Sequence, residues 1–237
     1  MPIHQYRVFG NPIHQSKSPS IHKAFAHATH QHLNYQAQLV LDDEFERTVT
    51  AFFASGGKGL NITVPFKQRA FAMAQMLSPA AQKAEAANTL YLNEQGQLVA
   101  ENTDGMGLVR DICSNLGGEL TAKRILVIGA GGAVRGILQP LLAQQPLAIV
   151  VANRTHSKAE QLAESFTDLG NISGCPMAQL QGSFDWIING TSASLAGDLP
   201  ALPGGLINPS TRCYDMMYSA DTTVFNAWAI EQGAEQA

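Results

Sequence analysis

Two residues far apart in the chain have the types that proton transfer needs. Lys67 follows Val64-Pro65-Phe66, where a helix should begin, and Asp104 opens another helix in Asn102-Thr103-Asp104-Gly105-Met106-Gly107. A helix N-terminus is a poor place for a cation, so a lysine there is suited to releasing a proton. A carboxylate beside it would complete an acid/base pair. Each residue also has a plainer reading, Lys67 as a solvated surface lysine and Asp104 as a helix cap. Asn61 and Thr63 alternate with apolar residues in Leu60-Asn61-Ile62-Thr63-Val64. That alternation puts both polar side chains on one face at the carboxyl end of a strand, where ligands are reached. Ser16 and Ser18, just before the helix signal Ser18-Pro19, offer hydroxyls and backbone N–H groups to a small carboxylate. Local sequence alone favours the plainer reading, in which both merely cap, since serine is the commonest cap.

A second group of residues has a different chemistry. Ile125-Leu126-Val127-Ile128 reads as a buried parallel strand, and Gly129-Ala130-Gly131-Gly132-Ala133 follows it at once. With no Cβ on its three glycines, the turn can bring backbone N–H groups against a pyrophosphate at the positive end of the next helix. The next strand, expected over residues 147–152, ends in Asn153-Arg154-Thr155, with Lys158 one turn on. An NAD site carries an acid at that strand end to hold the ribose 2′-hydroxyl. Here no acid is present, and two cations and a hydroxyl suit a 2′-phosphate. The stretch therefore reads as an NADP(H) site, against the bland alternative of a tight turn and a solvated Arg154.

The elements that must position these groups alternate between strand and helix. Strands are expected over residues 6–10, 34–41, 60–64 and 87–92, and the last forms a hairpin with 98–103 through Asn93-Glu94-Gln95-Gly96. Helices are expected over 18–32 (capped by Ser18, with Pro19 first), 45–54, 68–77 and 79–86, and one runs from Asp104 toward Leu116. Beyond the glycine turn, helices are expected over 134–144, 157–166 and 223–232, and strands over 184–189 and 212–217. The strand at 184–189 runs into the small polar loop Gly190-Thr191-Ser192-Ala193-Ser194-Leu195, and residues 199–209 form a proline-rich loop. A loop of that kind at a carboxyl strand end suits the ribose–nicotinamide half of a dinucleotide.

Composition narrows the class. Of the 237 residues 45% are hydrophobic and 14% charged, enough apolar surface for packed cores. The net charge of −4, with Lys and Arg scattered, gives no nucleic-acid surface. The apolar runs are too short for a membrane span, and the N-terminus lacks signal-peptide character. Cys113, Cys175 and Cys213 are odd in number and widely spaced, which points to reduced thiols in the cytoplasm. His22, His27, His30 and His32 cluster, but no carboxylate or cysteine joins them at ligand spacing, so no metal is expected.

Taken in order, the short motifs resemble the shikimate/quinate dehydrogenase family over nearly the whole chain. They are Ser16-Lys17-Ser18-Pro19, Asn61-Ile62-Thr63-Val64-Pro65-Phe66-Lys67, Ala87-Asn88-Thr89 and Asn102-Thr103-Asp104-Gly105-Met106-Gly107. The glycine turn, Asn153-Arg154-Thr155 with Lys158, Asn189-Gly190-Thr191-Ser192-Ala193 and Tyr214-Asp215-Met216-Met217-Tyr218 complete the set. The resemblance implies NADPH-dependent, reversible reduction of 3-dehydroshikimate to shikimate, in chorismate and aromatic amino acid biosynthesis. It implies an α/β fold: a substrate domain at residues 1–101, a Rossmann-like doubly wound NADP domain at 102–237, and a cleft between them. By the same resemblance Ser16 and Ser18 hold the substrate carboxylate with Tyr218 nearby. Asn61, Thr63, Asn88 and Asp104 serve the substrate ring, and Lys67 is the acid/base. Thr191 and Met216 flank the nicotinamide. An NAD-preferring quinate/shikimate paralogue and a non-catalytic NADP(H)-binding regulatory module are the competing readings. A monomer or homodimer is expected. The family pattern continues past the last helix with a GxGMLxxQA segment; this sequence ends at Ala237, so an incomplete sequence is the expectation, and Gln236-Ala237 receives no role.

Overall fold

A computed structural model describes residues 3–191, 193, 197–219 and 221–237. The chain divides into two compact units, Met1–Asp104 and Gly105–Ala237.

In the first unit β1 (His4–Gly10) is followed by α1 (Ser18–Ala28), β2 (Leu33–Leu39), α2 (Phe45–Ala54), β3 (Gly59–Ile62) and α3 (Lys67–Met73). Then come β4 (Met76–Leu77), α4 (Pro79–Ala84), β5 (Thr89–Leu92) and β6 (Leu98–Glu101). The sheet order is β2-β1-β3-β5-β6-β4. β1 runs parallel to both neighbours, while β5 is antiparallel to β3 and β6, as a hairpin requires. Phe45, Val49 and Phe52 recur on one face of α2 and are buried in the core with Phe9, Leu60, Ile62 and Phe66. Phe66 stacks on Phe45 with ring centroids 4.6 Å apart, which fixes the chain immediately before Lys67.

Three expectations fail here for visible reasons. The first helix ends at Ala28 rather than residue 32, because His30 turns into the left-handed region (φ 54) and Gln31 N–H bonds back to Ala26. Its N-cap is Lys17, so Ser18 is the first helical residue and not the cap. The helix expected over 68–77 stops at Met73. Gln75 and Ser78 donate instead to the carbonyls of Leu98 and Ala100, and β4 joins β6.

α5 (Asp104–Arg110) starts on the last residue of the first unit, and the second unit continues with a π-helical turn Asp111–Asn115, β7 (Arg124–Ile128), α6 (Gly132–Leu142), β8 (Ala148–Asn153) and α7 (His156–Glu164). β9 (Ile172–Pro176), β10 (Trp186–Asn189), β11 (Arg212–Asp215) and α8 (Val224–Glu231) follow. All five strands are parallel in the order β11-β10-β7-β8-β9, a doubly wound sheet. Ile125, Leu126, Val127 and Ile128 of β7 are fully buried between two apolar layers. The chain leaves β7 in one direction through β8 and β9 and returns on the other side through β10. The switch point therefore lies between the carboxyl ends of β7 and β10, where such sheets bind ligands.

β9 was not foreseen. Its sequence Ile172-Ser173-Gly174-Cys175-Pro176 carries a glycine and a proline and shows no clear alternation. Gly174 has a packing reason, since a Cβ there would lie 2.5 Å from the Glu160 backbone of α7. The helix expected toward Leu116 is α-helical only to Arg110. β11 ends at Asp215 rather than residue 217, because the Asp215 carboxylate accepts the Met217 N–H and turns the chain. Gln236 pairs in parallel with Arg212 at the edge of β11. Ser192, Ser194 and Leu195 of the loop after β10 lie outside the described residues.

Candidate active site

In the first unit Lys67 is the opening residue of α3, and its carbonyl accepts the Ala87 N–H at 2.8 Å. Its ammonium reaches Asp104, with Nζ 2.5 Å from Oδ2. The two side chains are only 14% and 19% exposed, so water screens the pair weakly. The other carboxylate oxygen, Oδ1, accepts Asn88 Nδ2 at 2.8 Å. Asp104 is held from behind by its own N–H, which donates to the buried Asn102 side chain, itself tied to the Ala86 carbonyl.

Asn88 Oδ1 accepts the Thr103 N–H at 3.1 Å and the Thr89 hydroxyl at 2.9 Å, which fixes which end of the amide faces Asp104. Asn61 donates to Thr89 Oγ1 at 3.2 Å and accepts the Tyr35 hydroxyl at 2.6 Å. Asn61, Asn88, Asp104 and Lys67 are thus joined by hydrogen bonds. Thr63 stands one residue beyond β3, its N–H bound to the Phe9 carbonyl. Gly10 makes room for it, since a Cβ at position 10 would lie 2.4 Å from Thr63 Cγ2. Ser16 Oγ accepts the Ser18 N–H at 3.3 Å at the start of α1, and no side chain caps that helix from Lys17. Tyr35 was not singled out from sequence. Its place in a strand beside polar residues gave no sign that its hydroxyl would reach Asn61.

In the second unit the glycine turn sits as the motif predicts at the carboxyl end of β7. Gly129 adopts φ 115, a conformation that favours glycine, and a Cβ there would crowd Val134 and Gly190. Ala130 follows, Gly131 is the N-cap of α6, and Gly132 and Ala133 form its first turn, which carries no acidic side chain. Asn153 ends β8 and its amide donates to the Thr155 carbonyl at 3.0 Å. Arg154, Thr155 and Lys158 are exposed around the start of α7. After β10, Thr191 donates its hydroxyl to Asn189 Oδ1 at 2.8 Å, and Asn189 Nδ2 donates to Asp215 Oδ1 at 3.0 Å. The Met216 N–H binds the Asn189 carbonyl, so the loops after β10 and β11 are laced together through a fully buried asparagine. Tyr218 is exposed at the end of that second loop. Tyr214 donates to Asp111 at 2.8 Å, and burial followed by that contact pushes its phenol well above the usual range.

The residues present fit a phosphorylated dinucleotide: a small-residue turn in which Gly129 has a left-handed backbone and little room for a Cβ, an acid-free helix start and exposed cations past the second strand. Among the described residues no group of three or more His, Cys, Asp or Glu could hold a metal ion. His22, one of the clustered histidines, stacks on Tyr35, and burial lowers its pKa.

Comparison with known proteins gives a consistent result. Residues 8–90 match the shikimate dehydrogenase substrate binding domain, and residues 111–196 match shikimate / quinate 5-dehydrogenase. A shikimate dehydrogenase (NADP(+)) from Cellvibrio japonicus is 57% identical over 97% of this chain and 83% of its own length. One from Alkalilimnicola ehrlichii is 53% identical over 98% of this chain and 86% of its own. An Ael1 enzyme from Pseudomonas putida superposes with a TM-score of 0.87 at 45% identity, covering 99% of this chain and 86% of that one. The shikimate 5-dehydrogenase of Thermus thermophilus in complex with NADP(H) and shikimate gives 0.85 at 27% identity, covering 99% and 87%. With both sequence halves matched and relatives above half identity along almost all of its length, the chain belongs to the shikimate dehydrogenase family.

Proposed function

We propose that this chain is an NADP-dependent shikimate dehydrogenase that reversibly reduces 3-dehydroshikimate to shikimate, with substrate carried by residues 1–101 and cofactor by 102–237. The observation that carries the reading is the Lys67–Asp104 pair, with Asn88 on the second carboxylate oxygen. Ser16 and Ser18 hold the substrate carboxylate, and Tyr218 is a further substrate-binding residue. Asn61, Thr63 and Asn88 bind the ring oxygens beside Asp104. Gly129, Ala130, Gly131, Gly132 and Ala133 receive the pyrophosphate, and Asn153, Arg154, Thr155 and Lys158 receive the 2′-phosphate. Thr191 and Met216 flank the nicotinamide.

When bound, NADPH supplies the hydride. The chain's own contribution begins with the negative charge that grows on the substrate oxygen as its carbonyl carbon is reduced. The Lys67 ammonium stabilises that charge and delivers a proton to the oxygen. In the oxidative direction the neutral amine takes the proton back. Asp104 keeps Lys67 pointed at one place and accepts a substrate hydroxyl when Lys67 turns toward the reacting oxygen. Three free cysteines suit a reducing compartment, and we assign the protein to the cytoplasm.

The test is turnover followed at the reduced-nicotinamide absorbance band, with shikimate and quinate offered separately and NADP compared with NAD. The expected result is a strong preference for shikimate with NADP. Equal rates with the two cofactors would defeat the 2′-phosphate assignment, a preference for quinate with NAD would favour the paralogue, and no turnover at all would favour a binding module.

A further inference from the structure

We propose that Tyr35 is a positioning residue for substrate binding, acting through Asn61; the inference rests on the reading of the Lys67–Asp104 site given above. Tyr35 lies on the edge strand β2, opposite Tyr6 of β1, which is opposite Gly59 of β3. Parallel register keeps Tyr35, Tyr6, Gly59 and Asn61 on one face of the sheet. Gly59 has no side chain, and the Tyr6 ring occupies the space beside it. The Tyr35 side chain reaches across β1 to place its hydroxyl 2.6 Å from Asn61 Oδ1. Its ring is held from the other side by His22 of α1, stacked at 4.1 Å with planes 5° apart.

The direction of each bond gives the phenol its role. Asn88 is pinned at the far end, because its Oδ1 accepts the Thr103 N–H, a donor that cannot also accept. Thr89 spends its proton on that same oxygen, so its lone pairs take Asn61 Nδ2. Asn61 Nδ2 also faces the Asn88 carbonyl at 3.4 Å. Its Oδ1 is then left pointing at Tyr35, whose O–H donates to it. Removing that proton leaves a partly buried amide oxygen without its donor and lets the Asn61 plane rotate. The Lys67–Asp104–Asn88 end keeps its own backbone anchor. The amide of Asn61 has no acidic proton to hand on, so the chain orients groups and does not conduct protons.

This separates binding from chemistry. Tyr35→Phe retains the ring and its stack on His22 and removes one hydroxyl. It should raise the KM for shikimate about tenfold, with kcat changed less than about threefold and the KM for NADP unchanged. In an Asn61→Ala background the same change should add nothing, because the group it orients is gone. An unchanged shikimate KM, additive effects in the double variant, or a parallel rise in both KM values with a lowered thermal midpoint would each overturn the proposal. Absence of turnover in the wild-type enzyme is a different result: it would remove the functional reading itself, whereas an active wild type with an unaltered Tyr35→Phe variant removes only the role of Tyr35.

Discussion

Replacing Asp104 by asparagine keeps the shape of the side chain and removes one acceptor. In the structure each carboxylate oxygen serves one donor: Oδ2 takes Lys67 Nζ at 2.5 Å and Oδ1 takes Asn88 Nδ2 at 2.8 Å. An amide has a single oxygen, so whichever donor keeps it, the other faces an NH2 group. Asn88 cannot escape by flipping, because the Thr103 N–H holds its oxygen. A donor left unsatisfied costs about 1–3 kcal/mol, and side chains only 14% and 19% exposed leave little room for water to replace the lost acceptor. The kinetic loss should be larger than this, since Lys67 is released from the direction in which it delivers its proton. Misplacing a general acid costs about 10²–10⁴ in rate. Asp104→Asn should therefore lower kcat/KM for shikimate at least about a hundredfold. Asp104→Asn added to Lys67→Ala should cost little more than Lys67→Ala alone, because the two residues act as one group. Steady-state assays on the two single variants and the double variant measure all of this. If Asp104→Asn kept kcat/KM within about threefold of wild type, the two-donor argument, whose penalty alone predicts more, would be refuted.

Other outcomes follow from the same geometry. Arg154→Ala should raise the KM for NADPH about ten- to a hundredfold, the worth of a charge-assisted hydrogen bond, and leave that for NADH unchanged; equal effects on both cofactors would place Arg154 away from the 2′-phosphate. Burial pushes the Cys213 thiol from 9.0 up to about 12, and Tyr214 moves in the same direction. The unfolded chain releases the thiol proton above about pH 9 while the folded chain retains it, so stability is full below that pH and falls as pH rises toward about 12. Thermal midpoints measured from neutral pH upward should show this loss, reduced in Cys213→Ala, and a flat profile would contradict it.

How much of this was legible beforehand depended on which forces set each feature. The core strand β7, the glycine turn and helix α2 are specified by local pattern: an unbroken apolar run, residues without side chains, and phenylalanines and valine at helical spacing. These were readable. The site residues Lys67, Asn88 and Asp104 could be named from motif context, but their joining is a product of tertiary structure. Lys67 and Asp104 meet only because α3 and the start of α5 converge on Asn88 beside β5. β4 and β9 were missed because neighbouring strands, not their own sequences, recruit them. Two residues of β4 pair with β6 through donors that a helix would otherwise have used, and Gly174 serves the close approach of α7 rather than strand propensity. Ser18 departs from the expected cap position for a related reason: Ser-Pro signals a helix start, but the helix begins one residue earlier, with Lys17 as its N-cap.

The role of Lys67 is tested most directly by single-turnover oxidation of shikimate with NADP in the wild type and in Lys67→Ala, alongside calorimetric binding of shikimate to both. The expected result is a chemical step slowed at least about a hundredfold in the variant while shikimate still binds within about tenfold of wild type. A variant that transfers hydride at the wild-type rate would contradict the account.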